Sequence, residues 1–153
     1  MKNIGDKAPE VLGINEKGEE IRLSAYKGKK IVLYFYPKDD TPGCTTEAKD
    51  FRDLSKEFAK AGTVVIGVSK DDLKSHEKFC QKFDLDFALA TDADGSVCEA
   101  YGVWGEKNMY GKKYMGIERA TFLIDRDGKL AQIWRKVSVT GHVKEVLEAA
   151  KTL

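Results

Sequence analysis

The stretch Pro37-Lys-Asp-Asp-Thr-Pro-Gly-Cys44 places a thiol where an apolar run gives way to a helical pattern. Thr41 suits a helix N-cap, and Pro42 suits the first helical position, where no amide hydrogen is needed. Counting on, Gly43 is second and Cys44 third, within the first turn. Free backbone N–H groups and the positive end of the helix dipole favour a thiolate there over a thiol. Gly43 has no side chain, so a small reactant is expected to approach the backbone donors closely. A helix that begins at the carboxyl end of a strand also brings the thiol to the edge where open α/β sheets bind ligands. One cysteine near a helix start is commonly a small buried hydrophobe. The cap, the proline and the glycine together point instead to an activated nucleophile.

Several cysteine chemistries do not fit. A dithiol reductase requires C-x-x-C, and Cys44 is followed by Thr45, Thr46 and Glu47. A phosphatase loop requires an arginine six residues after the cysteine, where Asp50 stands. A cysteine protease needs a histidine base; His76 and His142 are present, but nothing in the sequence ties either to Cys44. What remains is a nucleophile activated by backbone dipoles and a cation. Arg119, at the start of an apolar run, is able to supply that cation, although a strand-end arginine is ordinarily a solvated charge.

The elements that must position these residues follow from periodicity. Val11 to Asn15 and Glu19 to Leu23 flank Glu-Lys-Gly and read as an N-terminal hairpin. Ile31 to Tyr36 is a continuous apolar run, as in a central strand buried on both faces. From about Gly43 to Ala61, Ala48, Phe51, Leu54, Phe58 and Ala61 recur at helical spacing, and Gly62 closes that helix. Thr63 to Ser69 reads as a second buried strand and Asp71 to Phe83 as a second amphipathic helix. A short strand at Phe87 to Ala90 and a short helix at Gly95 to Tyr101 follow. Trp104 to Ile117, rich in glycine and lysine, has no sustained period and reads as a surface excursion. Ala120 to Asp125 and Lys129 to Arg135 form a hairpin around a two-residue Asp127-Gly128 turn. Thr140 to Lys151 is the last helix.

This order, a βαβ half and then a ββα half, predicts an α/β fold of thioredoxin-like type with a mixed central sheet. The N-terminal hairpin and the segment around residues 71–102 are additions to it. At 153 residues, 42% hydrophobic and 33% charged, the chain fits a single domain over 1-153 with a core of its own. A formal net charge of +1 without a Lys/Arg block argues against nucleic acid. No stretch resembles a secretory signal or is long enough to cross a bilayer, so no membrane partner is expected and a reducing cytoplasm is the default location. Cys44, Cys80 and Cys98 are too few for a disulfide framework and lack zinc-site spacing.

The octapeptide Pro37 to Cys44 matches P-x-x-x-T-x-x-C, the active-site motif of the peroxiredoxins. With Tyr101-Gly-Val-Trp104 and Gly116-Ile-Glu-Arg-Ala-Thr-Phe-Leu-Ile-Asp125, nearly the whole chain resembles the peroxiredoxin Q, or bacterioferritin comigratory protein, subfamily. That resemblance implies a peroxidatic Cys44, a Thr41 hydroxyl bonded to the peroxide, a shielding Pro37, and an Arg119 that stabilises the thiolate and polarises the peroxide. Gly43, Thr41 and Arg119 would then contact the substrate. Many relatives carry a second cysteine in C-x4-C, but Lys49 occupies that position here. Other members place a resolving cysteine in the following helix, and Cys80 in His-Glu-Lys-Phe-Cys-Gln-Lys-Phe corresponds to it. Without the resemblance, Cys80 reads as ordinary helix packing, His76 as a surface histidine and Cys98 as a buried spectator.

Cys80 falls about nine residues into its helix, roughly 14 Å along it. A disulfide needs Cα atoms within roughly 7 Å, so helix opening is expected before a Cys44–Cys80 bridge forms. The reaction implied is reduction of hydrogen peroxide or an organic hydroperoxide, with no metal, flavin or haem cofactor. A thioredoxin-type dithiol is the implied reductant and a monomer the implied state. The competing class is a redox-responsive binding protein, with Met109, Tyr110, Tyr114 and Met115 as contact residues.

Overall fold

The structure is a computed structural model that describes residues 2–153. In chain order its elements are β1 (Val11–Ile14), β2 (Glu20–Arg22), β3 (Lys30–Phe35), α1 (Pro42–Asp53), α2 (Ser55–Lys60), β4 (Thr63–Ser69) and α3 (Leu73–Phe83). There follow β5 (Ala88–Thr91), α4 (Ser96–Ala100), β6 (Trp104–Met109), β7 (Lys112–Ile117), β8 (Ala120–Ile124), β9 (Leu130–Trp134) and α5 (His142–Thr152). Seven strands make one mixed sheet in the order β2-β1-β5-β4-β3-β8-β9. β4 and β3 run parallel, and β8 and β9 join antiparallel beside them. This is the thioredoxin-like arrangement with β1, β2 and β5 added at the β4 edge.

The apolar run of β3 is buried at every position because the sheet is covered on both sides. Ile31, Leu33 and Phe35 pack with Leu12, Ile66, Cys98, Tyr101 and Phe122 on one face. Val32, Tyr34 and Tyr36 point the other way, into the layer of α1, α2, α3 and α5, where Cys44, Phe51, Phe58, Phe79 and Val146 pack. α4 contributes Val97 and Cys98 to the first face. Among the described residues no helix is long and apolar enough to cross a membrane.

Three expectations need correction. The helical run from Gly43 to Ala61 is two helices, not one, interrupted at Leu54. Leu54 leaves helical geometry with φ −105° and ψ 10°, and Ser55 then bonds to Asp86 at 2.6 Å, which re-aims the second piece. The excursion over 104–117 is a β-hairpin, β6 paired with β7 from Trp104↔Ile117 to Met109↔Lys112. A two-stranded ribbon with β7 largely exposed has no buried face to impose alternation, so the usual strand signal is missing. Its mark is the turn: Tyr110 and Gly111 both have positive φ, 53° and 79°, as a two-residue hairpin turn requires. Tyr110, Tyr114 and Met115 are exposed on this hairpin; the Met109 side chain lies outside the described residues. The third correction concerns the β8–β9 turn, which centres on Arg126-Asp127 rather than Asp127-Gly128. Gly128 donates to Asp125 O at 3.1 Å and takes the left-handed position, φ 80°.

One glycine carries a packing constraint. Gly67 sits in β4 between β3 and β5, opposite Tyr34 and Leu89. A Cβ there would lie 2.8 Å from the Tyr34 ring and 2.9 Å from Leu89 Cδ2. Tyr34 cannot easily yield, because it stacks on Phe51 of α1 with centroids 4.5 Å apart. Gly67→Ala is expected to destabilise the fold by about 1–3 kcal/mol in urea unfolding, the usual cost of overpacking. An unchanged midpoint would mean the Tyr34–Phe51 stack is softer than this packing implies.

Candidate active site

The site forms where two strand ends meet. β3 and β8 are antiparallel with Phe35 opposite Ala120, so the exit of β3 and the start of β8 share one edge of the sheet. The loop leaving β3 leads to Thr41, whose extended backbone (φ −99°, ψ 157°) sets the N-cap of α1 with Pro42 first. Cys44, Glu47, Ala48 and Phe51 are the buried positions of α1, an i, i+3, i+4, i+7 spacing that lays one face on the sheet. Cys44 is only 1% exposed. Arg119 comes in from the residue before β8.

The Arg119 guanidinium spans two side chains of α1. Its Nη2 donates to Cys44 Sγ at 3.3 Å, and its Nη1 donates to Glu47 Oε1 at 2.7 Å. Burial works against the charge on Arg119, but Glu47 and Cys44 outweigh it and hold its proton more firmly than usual. A cation aimed at the sulfur through an N–H favours the charged form of the nucleophile. Glu47 was not apparent as a site residue from the sequence. The available signal was its place one turn after Cys44, between apolar Cys44, Ala48 and Phe51, where a carboxylate without a partner would not be tolerated. Burial pushes its carboxyl up to about 7, against the pull of Arg119. The second oxygen, Oε2, is buried and accepts no protein hydrogen bond, nor does the Tyr34 hydroxyl on the same side of the sheet.

Gly43 leaves space beside the arginine. A Cβ at that position would stand 3.1 Å from Arg119 Nη2, so the missing side chain makes room for the guanidinium. Thr41 does not cap α1 with its side chain; its hydroxyl donates to Lys38 O at 2.9 Å. The Thr41 oxygen is thereby left with lone pairs to accept from another donor. Pro37 and Arg119, but not Thr41, Gly43 or Cys44, line a cavity of about 530 Å³ whose other walls include Val103, Trp104, Lys136 and Val137. The β6–β7 hairpin therefore forms part of its rim.

The other cysteines divide by face. Cys80 on α3 is partly buried and packs on the helical layer that holds Cys44. Burial, then the nearby Asp39 and Glu16, push its thiol up to about 11. Cys98 is fully buried in the opposite core, with the sheet between it and Cys44, and burial beside Asp92 raises its thiol still further. All three thiols are free. The histidines are both buried, so the reading of His76 as a surface residue is overturned. His76 Nδ1 lies 2.7 Å from Asp39 Oδ2, and its Nε2 lies 3.1 Å from Ala90 O. A polar residue in the helix of an α/β layer looks solvated in sequence; here Asp39 and Tyr36 on one side and β5 on the other cover it. His142 pairs with Thr121 Oγ1 at 2.8 Å, and burial, with Arg119 adding, lowers it to about 4. Neither histidine contacts Cys44 among the described hydrogen bonds.

Glu47 ties stability to pH. Its folded-state value is raised above the ordinary 4.5, so folding favours the protonated acid. This contribution is complete below about pH 4.5 and is lost as pH rises through about 7. Glu47→Gln should therefore flatten the stability profile over that window by on the order of 2–3 kcal/mol, measured by urea unfolding at stepped pH. A variant whose profile parallels the parent would show that Glu47 is ionised throughout.

The AhpC/TSA family matches residues 4–133 of the chain. The peroxiredoxin Bcp of Bacillus subtilis is 53% identical over 98% of this chain and 96% of its own length. Peroxiredoxin Q of Xanthomonas campestris is 50% identical with a TM-score of 0.85, covering 91% of this chain and 88% of that one. Two other structures of it carry serine at one or the other of two cysteines whose spacing is that of Cys44 and Cys80. A further structure from that organism concerns the alkyl peroxide reduction activity of its bacterioferritin comigratory protein. The PrxQ of Xylella fastidiosa superposes with a TM-score of 0.91 at 41% identity over 99% of this chain and 97% of its own. A thiol held under an arginine at a strand-to-helix turn, on this fold and with these relatives, has one reading: the chain belongs to the AhpC/TSA family and is a thiol peroxidase, a peroxiredoxin of the Bcp or Q type.

Proposed function

We propose that Cys44 is the peroxidatic nucleophile, that Cys80 resolves it, and that the substrates extend from hydrogen peroxide to organic hydroperoxides. The observation that carries this reading is the 3.3 Å contact between Arg119 Nη2 and Cys44 Sγ. The thiolate attacks one peroxide oxygen, the O–O bond breaks, and the sulfur becomes a sulfenic acid. The departing oxygen leaves as hydroxide or alkoxide and takes up a proton. Arg119 faces the charge developing along S–O–O, while Glu47 holds the guanidinium in line. The Thr41 oxygen, its own proton engaged by Lys38 O, accepts from the peroxide O–H. Pro37 closes the wall beside it. The adjoining cavity of about 530 Å³, which shares Arg119 and Pro37 with the site, exceeds what hydrogen peroxide needs, and its Val103, Trp104 and Val137 suit an organic substituent.

The Cys80 thiol then attacks the sulfenic sulfur, a disulfide forms, and water leaves. A thioredoxin-type dithiol exchanges with that disulfide, is itself oxidised, and returns both thiols. The placement of Cys80 in the Cys44 layer, and of Cys98 behind the sheet, supports Cys80 as the resolving residue. The cysteine pair substituted in the Xanthomonas campestris structures supports it also. Cys44 is buried under its helix, so opening of α1 or α3 precedes the bridge. One seven-stranded sheet edge positions the whole site, which supports reading 1-153 as one domain. Free thiols suit a reducing cytoplasm, and the chain is read as a monomer, in line with its resemblance.

Two sets of variants test these roles. Arg119→Met should slow the peroxide step by hundreds-fold, about 3 kcal/mol, with the fold intact by circular dichroism. Wild-type rates would return Arg119 to a purely structural part. In a thioredoxin-coupled assay Cys44→Ser should be inactive and Cys98→Ser near wild type. Cys80→Ser should consume one equivalent of peroxide, stall, and over-oxidise at Cys44. Full coupled turnover by Cys80→Ser would mean that an external thiol attacks the sulfenic acid directly.

A further inference from the structure

The loop that carries the peroxidatic cysteine is bonded to the helix that carries Cys80, and one residue makes most of the bonds. Asp39, five residues before Cys44, is 7% exposed. Its Oδ2 lies 2.7 Å from His76 Nδ1 and accepts from Ser75 Oγ at 2.8 Å. Its Oδ1 accepts from the Tyr36 hydroxyl at 2.5 Å, and its backbone N–H donates to Asp71 Oδ2 at 2.8 Å. Ser75 and His76 belong to the first turn of α3, and Asp71 to the turn leading into it. Asp71 is itself fixed by Ser69 Oγ at 2.7 Å, at the end of β4. Lys82, two residues after Cys80, adds a bond to Asp40 at 2.8 Å, but both partners are exposed and the pair contributes little.

These bonds are concentrated at one point, and the rest of α3 is lightly held. Only His76 and Phe79 are fully buried among its residues. An element with few buried contacts opens locally at low cost, and the groups that hold it then set how often it opens. His76 is well placed for this. Both ring nitrogens face oxygens, Asp39 on one side and the Ala90 carbonyl on the other, so the imidazole pins α3 to the loop and to β5 at once.

We infer that Asp39 is a positioning residue that, through His76 and Ser75, latches α3 to the Cys44 loop and so sets the rate of the disulfide step separately from the peroxide step. This rests on the reading of Cys80 as the resolving cysteine. With the latch closed, Thr41, Cys44 and Arg119 are held together for reaction with peroxide, and Cys80 is held away from the sulfenic acid. With it open, α3 releases Cys80 to attack the sulfenic sulfur, expelling water. Asp39 also contributes to keeping the Cys80 thiol protonated, so release frees the thiol from that carboxylate as well as from its packing. The latch therefore governs how long the sulfenic acid survives, and with it the exposure to a second peroxide.

Quench-flow of the reduced full-length protein with hydrogen peroxide, read by intact mass, separates the two steps. Gain of one oxygen reports the sulfenic acid, and its loss as water reports the disulfide. In His76→Phe, disulfide formation should accelerate about tenfold while sulfenic acid formation stays within about twofold, the size expected for loss of a charge-assisted bond. The peroxide concentration that over-oxidises half of Cys44 should rise in step, and α3 amides should exchange faster than those of β4. Ser75→Ala, a milder cut that leaves the imidazole in place, should give about a threefold acceleration and serves if the first variant does not fold. A merely structural role would lower the melting temperature without changing the ratio of the steps. A folded variant with a slower or unaltered disulfide step overturns the latch while leaving Cys80 as resolver. Peptide mapping of the oxidised parent that finds no Cys44–Cys80 bridge overturns the resolving assignment, and the latch with it.

Discussion

Everything in this site depends on one buried guanidinium having two acceptors in reach. Arg119 reaches Cys44 Sγ and Glu47 Oε1 from a single position, one turn of α1 apart. A buried arginine is costly unless its donors are used, and a buried carboxylate is costly unless neutralised or protonated. Each group is tolerated because of the other, and the sulfur receives what remains of the positive charge. Gly43 permits the approach by having no Cβ. The contact to the sulfur is thus one part of an arrangement in which the two charges offset each other's burial.

That arrangement is made by sheet register. Phe35 opposite Ala120 sets the strand exits side by side, and a shift of one residue would turn Arg119 to the other face of the sheet. The fully buried β3 resists such a shift because both of its faces are packed, Phe35 against Phe122 and Tyr101 on one side and Tyr34 against Phe51 on the other. The core thereby defines the chemistry at its edge. The β6–β7 hairpin, by contrast, lies outside the seven-stranded sheet and contributes part of the cavity wall.

The proposed chemistry asks the same protein to be rigid for one step and loose for the next. Attack on peroxide needs Cys44 and Arg119 fixed within a few tenths of an ångström, since misplacement forfeits most of the advantage of proximity. Disulfide formation needs α1 and α3 to part. The structure places strong, buried hydrogen bonds between the loop and the start of α3, and leaves the remainder of α3 with few buried contacts. Stability is unevenly distributed in a way that suits the two demands.

Much of this was legible in the residues. The period of the apolar positions located β3, β4, α3 and α5 to within two residues, because burial on one or both faces imposes those periods. Thr41, Pro42, Gly43 and Cys44 announced a thiol in the first turn of a helix, since capping chemistry is local. Arg119 was visible as an arginine at a strand start, but its pairing depends on register, and its role came from the resemblance. Glu47, Asp39 and His76 were hidden for the same reason: a polar side chain in an amphipathic helix or a loop looks solvated until another segment covers it. The break at Leu54 and the hairpin at 104–117 were also out of reach, one set by a distant contact from Ser55 to Asp86, the other lacking a buried face. Local sequence determined where the nucleophile sits and what kind of element holds it. Only the tertiary structure decided which charges meet it, because those meetings join residues more than seventy positions apart, as Arg119 and Glu47 are with |i−j| of 72.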